Sequence, residues 1–209
     1  MITIVNYGMG NLGSLANMLK HLGVPAAIVA DPDVIARAER LILPGVGAFD
    51  AAMSRIAAVA GLREVLEVKA HRERIPVLRV CLGMQLLTNG SDEGVLPGLG
   101  WIPGRTRRFP KAEGIKVPHM GWNVASPGAE SPLTRGVGSS PRYYFVHSYF
   151  VQVDDPAHSL MRARHGVEFD AAVARTNIFG VQFHPEKSHR FGMAILKNFA
   201  ELQPCCEPE

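Results

Sequence analysis

The chain has 209 residues, 47% of them hydrophobic, and its 22 basic and 19 acidic residues leave a formal net charge of +3. This length predicts one domain with a sizeable core, and the interspersed charges disfavour a nucleic-acid-binding protein, which usually carries a clustered basic excess. No apolar run approaches the length of a membrane-spanning helix, about 20 residues, and the N-terminus lacks the pattern of a signal peptide. We expect residues 1–203 to form a single domain and residues 204–209 to form a frayed tail.

The spacing of the three cysteines indicates neither a disulfide framework nor a zinc site. Cys81 stands alone in an apolar segment, whereas Cys205 and Cys206 are adjacent in the tail. This usage is typical of a reducing, cytoplasmic environment. We therefore predict no metal and no cofactor. The densest basic stretch, residues 105–111, is interpreted as a solvated strand face, with a docking surface for an acidic partner as the minor alternative.

The first half of the chain alternates short apolar runs with helical patterns. Strands are predicted at residues 2–5, 26–29, 41–43 and 76–80. The spacing of apolar residues predicts helices at residues 12–22, at about residues 50–71 with a break near Gly61, and at residues 82–87. Strands that alternate with helices form a mostly parallel sheet, whose active sites lie beyond the carboxyl ends of the strands. Three segments are expected at that edge: residues 6–11, residues 44–47 and Cys81.

From Trp101 onward the pattern changes to short strands separated by glycine and proline turns. The candidate strands are residues 104–109, 142–146, 150–153, 160–164, 171–175 and 178–183. A last helix is predicted at about residues 191–202. The predicted fold class is therefore α/β, a mostly parallel open sheet flanked by helices, with an antiparallel β extension rather than a second domain.

Cys81 is the candidate nucleophile because it lies where a buried strand turns sharply into a helix, the geometry of a nucleophile elbow. Gly83 removes the Cβ atom that would crowd such a turn. The N-terminus of the following helix favours negative charge on the sulfur, and its free N–H groups can hold an oxyanion. A buried structural cysteine is the alternative, and the flanking pattern together with a suitable base decides between the two.

His184 is the candidate base among the eight histidines. Pro185 forces it into an extended conformation at a strand end, and Glu186 shares its face because residues i and i+2 of an extended chain point the same way. A nucleophile, a base and an orienting carboxylate are the parts of a catalytic triad. His147 is the rival, but no carboxylate stands beside it, so we assign its segment to substrate positioning. His119 also lacks a neighbouring carboxylate.

Residues 44–47 are the candidate oxyanion site, because their two glycines allow backbone N–H groups to turn toward a ligand. Acyl transfer needs donors at the developing oxyanion. We expect one donor from the Leu82 N–H and one from Gly45, Val46 or Gly47. Taken alone, this segment is better interpreted as a plain turn from strand to helix.

Together these motifs resemble the class I, or triad, glutamine amidotransferases, and more narrowly the glutaminase subunits of imidazole glycerol phosphate synthases. Met84 favours the narrower group, because the anthranilate-synthase type usually carries histidine at that position. The resemblance covers nearly the whole chain. The segments that carry it are residues 6–11, 44–49, 81–87, 119–123, 144–149 and 184–188.

The resemblance implies a fold, a reaction and a partner. Cys81 would attack the side-chain amide of glutamine, His184 would protonate the departing ammonia, and Glu186 would orient His184. The ammonia would pass to a cyclase barrel subunit in a heterodimer that serves histidine biosynthesis. The residues implied to hold glutamine are Gly47, Gln85, His147, Ser148 and Tyr149. The residues implied at the interface with the cyclase are Asn11, Trp122, Tyr144 and Lys187.

Arg79 departs from the family, which usually has a small residue two positions before the cysteine. Strand alternation puts Arg79 on the face of Cys81, where it is predicted to stabilise the thiolate or to pair with a distant carboxylate. The departure leaves open a paralogous glutaminase that supplies ammonia to a different synthase. A cysteine hydrolase and a non-catalytic binding module are the weaker alternatives.

Overall fold

The computed structural model describes residues 1–111, 113–128 and 130–204. The predicted tail, apart from Pro204, lies outside the described residues, together with Cys205 and Cys206. Within the described part of the chain, no helix combines the length and the apolar character needed to cross a membrane.

The strands of the described residues form one sheet. Their bounds are β1 Ile2–Val5, β2 Ala26–Val29, β3 Leu41–Gly45, β4 Val77–Cys81, β5 Gly104–Arg108, β6 His119–Pro127, β7 Arg142–His147, β8 Tyr149–Val153, β9 Ser159–His165, β10 Val167–Arg175 and β11 Ile178–Val181. The order across the sheet is β2-β1-β3-β4-β11-β10-β9-β6-β7, and β8 pairs with both β10 and β5.

The helices flank the parallel part of the sheet. Their bounds are α1 Leu12–His21, α2 Pro32–Ile35, α3 Phe49–Ala58, α4 Leu62–Glu67, α5 Leu82–Gln85 and α6 His189–Glu201. A π-helical turn, Val68–Arg72, continues α4. The predicted break near Gly61 separates α3 from α4, since Gly61 adopts a positive φ of 76° there.

Five neighbouring strands, β2, β1, β3, β4 and β11, run parallel, and the remaining pairs are antiparallel. The predicted class, an α/β sheet with an antiparallel extension, is therefore confirmed. Its β4 strand is central and fully buried, and an apolar core covers each face of the sheet. The carboxyl ends of β3, β4 and β11 consequently meet at one edge.

Strand β6 and the short helix α2 were not predicted. The pattern of β6 is inverted, because its outward side chains Met120 and Trp122 are apolar and its inward positions include His119 and Asn123. The strand also follows Pro118, ends at Pro127 and contains Gly121, residues that usually mark turns rather than strands. Sequence alternation could therefore not identify it.

Candidate active site

Cys81 ends β4 in a backbone conformation that L-residues rarely adopt, with a φ of 55°. Helix α5 begins at the next residue, so the thiol lies at the helix N-terminus. A Cβ atom on Gly83 would collide with the carbonyl oxygen of Leu43, which explains why glycine is required there. The turn holds the Cys81 side chain at the edge of the sheet with 7% of the residue exposed. The structure thus builds the strained elbow that the sequence predicts.

His184 and Glu186 lie beside this cysteine at the end of the neighbouring strand. The His184 ring donates through Nδ1 to Glu186 Oε1 at 2.9 Å, and its side chain is hydrogen-bonded to Cys81. Burial lowers the pKa of His184, but the contacts with Cys81 and Glu186 outweigh burial and raise the pKa to about 9. The ring is therefore positioned and charged for a proton transfer between the sulfur and a leaving group.

Gln182 is a neighbour of the sulfur that the sequence analysis missed. Its Nε2 atom lies 3.8 Å from Cys81 Sγ, and its Oε1 atom accepts a hydrogen bond from Gln85 at 3.1 Å. Gln85 donates a second bond to the Tyr149 carbonyl at 3.0 Å. The i, i+2 relation that links Glu186 to His184 also links Gln182 to His184, so the signal was present in the sequence.

A cavity of about 420 Å³ opens above the cysteine. Of the residues predicted for the site, it is lined by Val46, Gly47, Cys81, Leu82, Gln85, His147, Ser148, Tyr149, His184 and Lys187. Glu93, Pro118 and Val146 line it as well and were not predicted. Gly45 and Glu186 do not line it; Glu186 contacts His184 and lines the neighbouring groove. The cavity is large enough for a small amino acid.

The predicted oxyanion segment runs along one wall of the cavity. Gly45 pairs with Cys81 in the sheet, and a Cβ atom there would meet Gly83 N at 2.8 Å and Tyr7 Oη at 3.0 Å. Tyr7 donates a hydrogen bond to the carbonyl of Pro44 at 2.7 Å. Gly47 adopts a φ of 92°, a conformation suited to glycine. One end of the segment is thus anchored, while Val46 is exposed at 43%.

Glu93 joins the cavity to helix α3. Its Oε2 atom accepts a hydrogen bond from the Phe49 N–H at 2.9 Å, which caps a helix whose N-cap residue, Ala48, has no polar side chain. Asp50, in the first turn of α3, also accepts hydrogen bonds from the backbone N–H groups of Val95 and Leu96, which follow Glu93 in the same loop. Glu93 comes from a loop without periodicity, so nothing in the sequence pattern singled it out.

Three of the four predicted interface residues form one surface cluster. The Trp122 ring lies 6.1 Å from the Tyr144 ring, and Lys187 Nζ lies 5.7 Å from the centroid of Tyr144. Trp122 is 41% exposed although it is large and apolar. The fourth residue, Asn11, caps α1 by accepting a hydrogen bond from the Ser14 N–H. A groove of about 1050 Å³ adjoins the cluster between α1 and α6.

Residues 3–202 match the model of the family described as glutamine amidotransferase class-I, so the chain belongs to that family. Within it, the chain is 52% identical to the imidazole glycerol phosphate synthase subunit HisH of Bdellovibrio bacteriovorus, an alignment that covers 97% of this chain and 100% of the relative. It is 50% identical to the corresponding subunit HisH 2 of Pseudomonas aeruginosa, with the same coverage. These identities place the chain with the HisH subunits and confirm the resemblance seen in the sequence.

A solved structure supports the fold. A putative GMP synthase protein from Thermoplasma acidophilum superposes with a TM-score of 0.71 at 19% identity, covering 95% of this chain and 91% of the other. The sheet with its antiparallel extension is therefore shared beyond recognisable sequence similarity.

Proposed function

We propose that the chain is a glutaminase subunit that hydrolyses L-glutamine to glutamate and ammonia for a cyclase barrel subunit. The cyclase uses the ammonia to make imidazole glycerol phosphate and an aminoimidazole carboxamide ribonucleotide, a lyase step of histidine biosynthesis. The observation that carries this proposal is the Cys81–His184–Glu186 arrangement beside a small cavity, in a chain 52% identical to a HisH subunit. We expect residues 1–203 to act as one domain of a cytoplasmic heterodimer.

The hydrolysis proceeds in two steps. The Cys81 thiolate attacks the side-chain amide carbon of glutamine, and His184 gives its proton to the nitrogen as the carbon–nitrogen bond breaks and ammonia leaves. Water then attacks the glutamyl thioester, His184 takes a proton from that water, and glutamate is released as the sulfur regains its charge. Glu186 holds the ring orientation through both steps, which the 2.9 Å contact with Nδ1 supports.

The charge that develops on the amide oxygen requires donors from the cavity wall. The Leu82 N–H at the start of α5 is one donor. The second comes from the segment of Gly45, Val46 and Gly47, whose exposed Val46 and glycine geometry at Gly47 support a rotation of the peptide toward the cavity. A donor that turns inward only when a loaded cyclase is bound would prevent wasteful release of ammonia.

Glutamine is a zwitterion, so its α-ammonium and α-carboxylate need opposite partners. The carboxylate of Glu93 lines the cavity and suits the ammonium group. Gln85, His147, Ser148 and Tyr149 line the same cavity, where Ser148 and Tyr149 offer hydroxyl groups to the substrate. These groups fix the substrate with its amide toward the cysteine.

The cluster of Trp122, Tyr144 and Lys187 is the proposed docking surface for the cyclase. An exposed tryptophan beside a tyrosine and a lysine has the composition of an interface anchor. Lys187 also lines the cavity, so the docking surface borders the site where ammonia is released.

Glutamine hydrolysis by the purified chain, with and without a cyclase subunit bound to its nucleotide substrate, tests the proposal. We expect strong stimulation by the loaded cyclase and loss of activity in Cys81→Ala. Glutamine hydrolysis that does not change when this cyclase is added would support the glutaminase activity but would assign the ammonia to another acceptor. No hydrolysis under either condition would refute the glutaminase itself.

A further inference from the structure

A row of hydrogen-bonded side chains lies beneath the cavity, outside the triad. His119 on β6 and His147 at the end of β7 are opposite each other in the sheet, and His119 Nδ1 lies 2.9 Å from His147 Nε2. Asn123, four residues further along β6, contacts His119 Nε2 at 3.1 Å. Both histidines are buried, with 4% and 6% of the residue exposed. The row therefore connects β6 to the floor of the substrate cavity.

The direction of each hydrogen bond in the row follows from its two ends. The Tyr149 carbonyl can only accept, so His147 Nδ1, at 2.7 Å from that oxygen, carries the proton. At the other end, Asn123 Nδ2 also donates to the Arg164 carbonyl and Oδ1 accepts from the Val124 N–H, which fixes the amide orientation. Burial lowers the pKa of His119 to about 4 and that of His147 to about 3, so both rings are neutral. His119 consequently donates from Nδ1 to His147 Nε2.

The row ends on a backbone atom that two parts of the site share. The Tyr149 carbonyl accepts from His147 and also from Gln85 Nε2, at 3.0 Å. Gln85 in turn contacts Gln182, the neighbour of the sulfur. Without the hydrogen bond from His119, the buried Nε2 atom of His147 would have no donor, and the His147 ring would lose its fixed orientation.

We propose that His119 is a positioning residue for glutamine binding, which acts through the His147 ring to hold the Tyr149 carbonyl against Gln85. It does not touch the reacting atoms. The inference rests on the proposed glutaminase function, and it explains why a histidine without a neighbouring carboxylate is buried beside the cavity. Phe145 and His165 stack on the His119 ring at 4.8 Å and 4.2 Å between centroids, which fixes its plane.

Steady-state kinetics of glutamine hydrolysis by the complex with a loaded cyclase separates this role from a merely structural one. In His119→Leu the ring is replaced by a side chain without a donor, and we expect KM for glutamine to rise about tenfold while kcat changes less than about twofold. In His119→Asn the amide nitrogen takes the place of Nδ1, so KM should return to near the wild-type value. Phe169→Leu is the packing control, because Phe169 contacts both rings without a hydrogen bond.

The outcomes distinguish a failure of the proposed glutaminase function from a failure of the role proposed for His119. An inactive wild-type complex would refute the proposed function. An active wild type with unchanged KM in His119→Leu, no rescue by His119→Asn, or an equal effect of Phe169→Leu would overturn the role of His119. Nitrogen chemical shifts of the imidazole rings give a test without turnover: both His119 and His147 should be neutral at neutral pH, with the proton on Nδ1. A proton on Nε2 of His147 would overturn the row.

Discussion

At the scale of single residues, the protonation of His184 is set by its two contacts. Burial alone would keep the ring neutral near pH 7, yet the bonds to Cys81 and Glu186 raise its pKa to about 9. The resting His184 ring is therefore an imidazolium beside the sulfur, and the proton that the proposed mechanism gives to the leaving ammonia is in place before glutamine arrives.

This protonation predicts the alkaline limit of the reaction. The value of kcat/KM should fall as the pH rises through about 9, because His184 then loses the proton that ammonia needs. In Glu186→Gln the carboxylate no longer supports the charged ring, so the limit should move to lower pH and the maximal rate should fall at least about tenfold. A pH profile of the cyclase-stimulated reaction measures both. Glu64→Gln, at an exposed carboxylate, should leave the profile unchanged.

Arg79 is fully buried, and within the described residues its three guanidinium nitrogens have no hydrogen-bond acceptor. The guanidinium lies 4.8 Å from the ring centroid of Trp101, whose indole N–H donates to Glu67. Burial lowers the pKa of Arg79 to about 10, and Tyr7 and Glu67 oppose that effect. The side chain is thus directed at an aromatic ring with a carboxylate beyond it.

We expect Arg79→Met to raise the free energy of unfolding by about 1 kcal/mol or more, since a long apolar chain replaces a buried charge without a direct ion partner. The rate at which Cys81 reacts with iodoacetamide should not change. Urea unfolding and alkylation kinetics measure the two quantities. Arg63→Met, at an exposed position, is the control. Slower alkylation would instead assign Arg79 to the support of the thiolate.

At the scale of elements, the sequence predicted those strands and helices whose positions are fixed by the burial of apolar side chains. The parallel strands and their helices were predicted because the spacing of their apolar residues fits only one type of secondary structure in each segment. Cys81, His184 and Glu186 were predicted because the end of a strand limits the directions in which their side chains can point. Strand β6 was not predicted because its buried face carries the polar side chains. Glu93 could not be predicted, since a loop residue reaches the cavity only through the path of the folded chain.

The inverted face of β6 carries a prediction about assembly. Trp122→Ala should weaken binding of the cyclase about 30-fold, because an anchor tryptophan contributes about 2 kcal/mol. Titration calorimetry with the purified cyclase measures the change. Ile28→Ala is the matched control, since Ile28 is 44% exposed on β2, at the opposite edge of the sheet. Equal affinities for the wild type and Trp122→Ala would remove this surface from the interface.

At the scale of the whole molecule, three buried histidines contribute to the pH dependence of stability between about pH 3 and pH 9. The pKa values of His119, about 4, and His147, about 3, lie below the unfolded value of 6.5, whereas that of His184, about 9, lies above it. The first two therefore add stability that is lost as the pH falls below 6.5. His184 adds stability that is lost as the pH rises from 6.5 to about 9.

The free energy of unfolding should consequently pass through a maximum near pH 6.5. Each lowered histidine contributes a slope of up to about 1.4 kcal/mol per pH unit on the acid side. Urea unfolding at a series of pH values gives the curve. His119→Asn should flatten the acid side, and an acid side as steep as in the wild type would contradict the assignment.

The hydrogen bond between Glu93 and the Phe49 N–H links substrate binding in the cavity to the start of helix α3. One carboxylate both closes the first turn of α3 and lines the cavity, so an ammonium group that approaches it would share the carboxylate with the Phe49 N–H. Through Asp50 the same helix end fastens the loop that carries Glu93. We therefore expect the order of the first turn of α3 to change when a ligand with an ammonium group occupies the cavity.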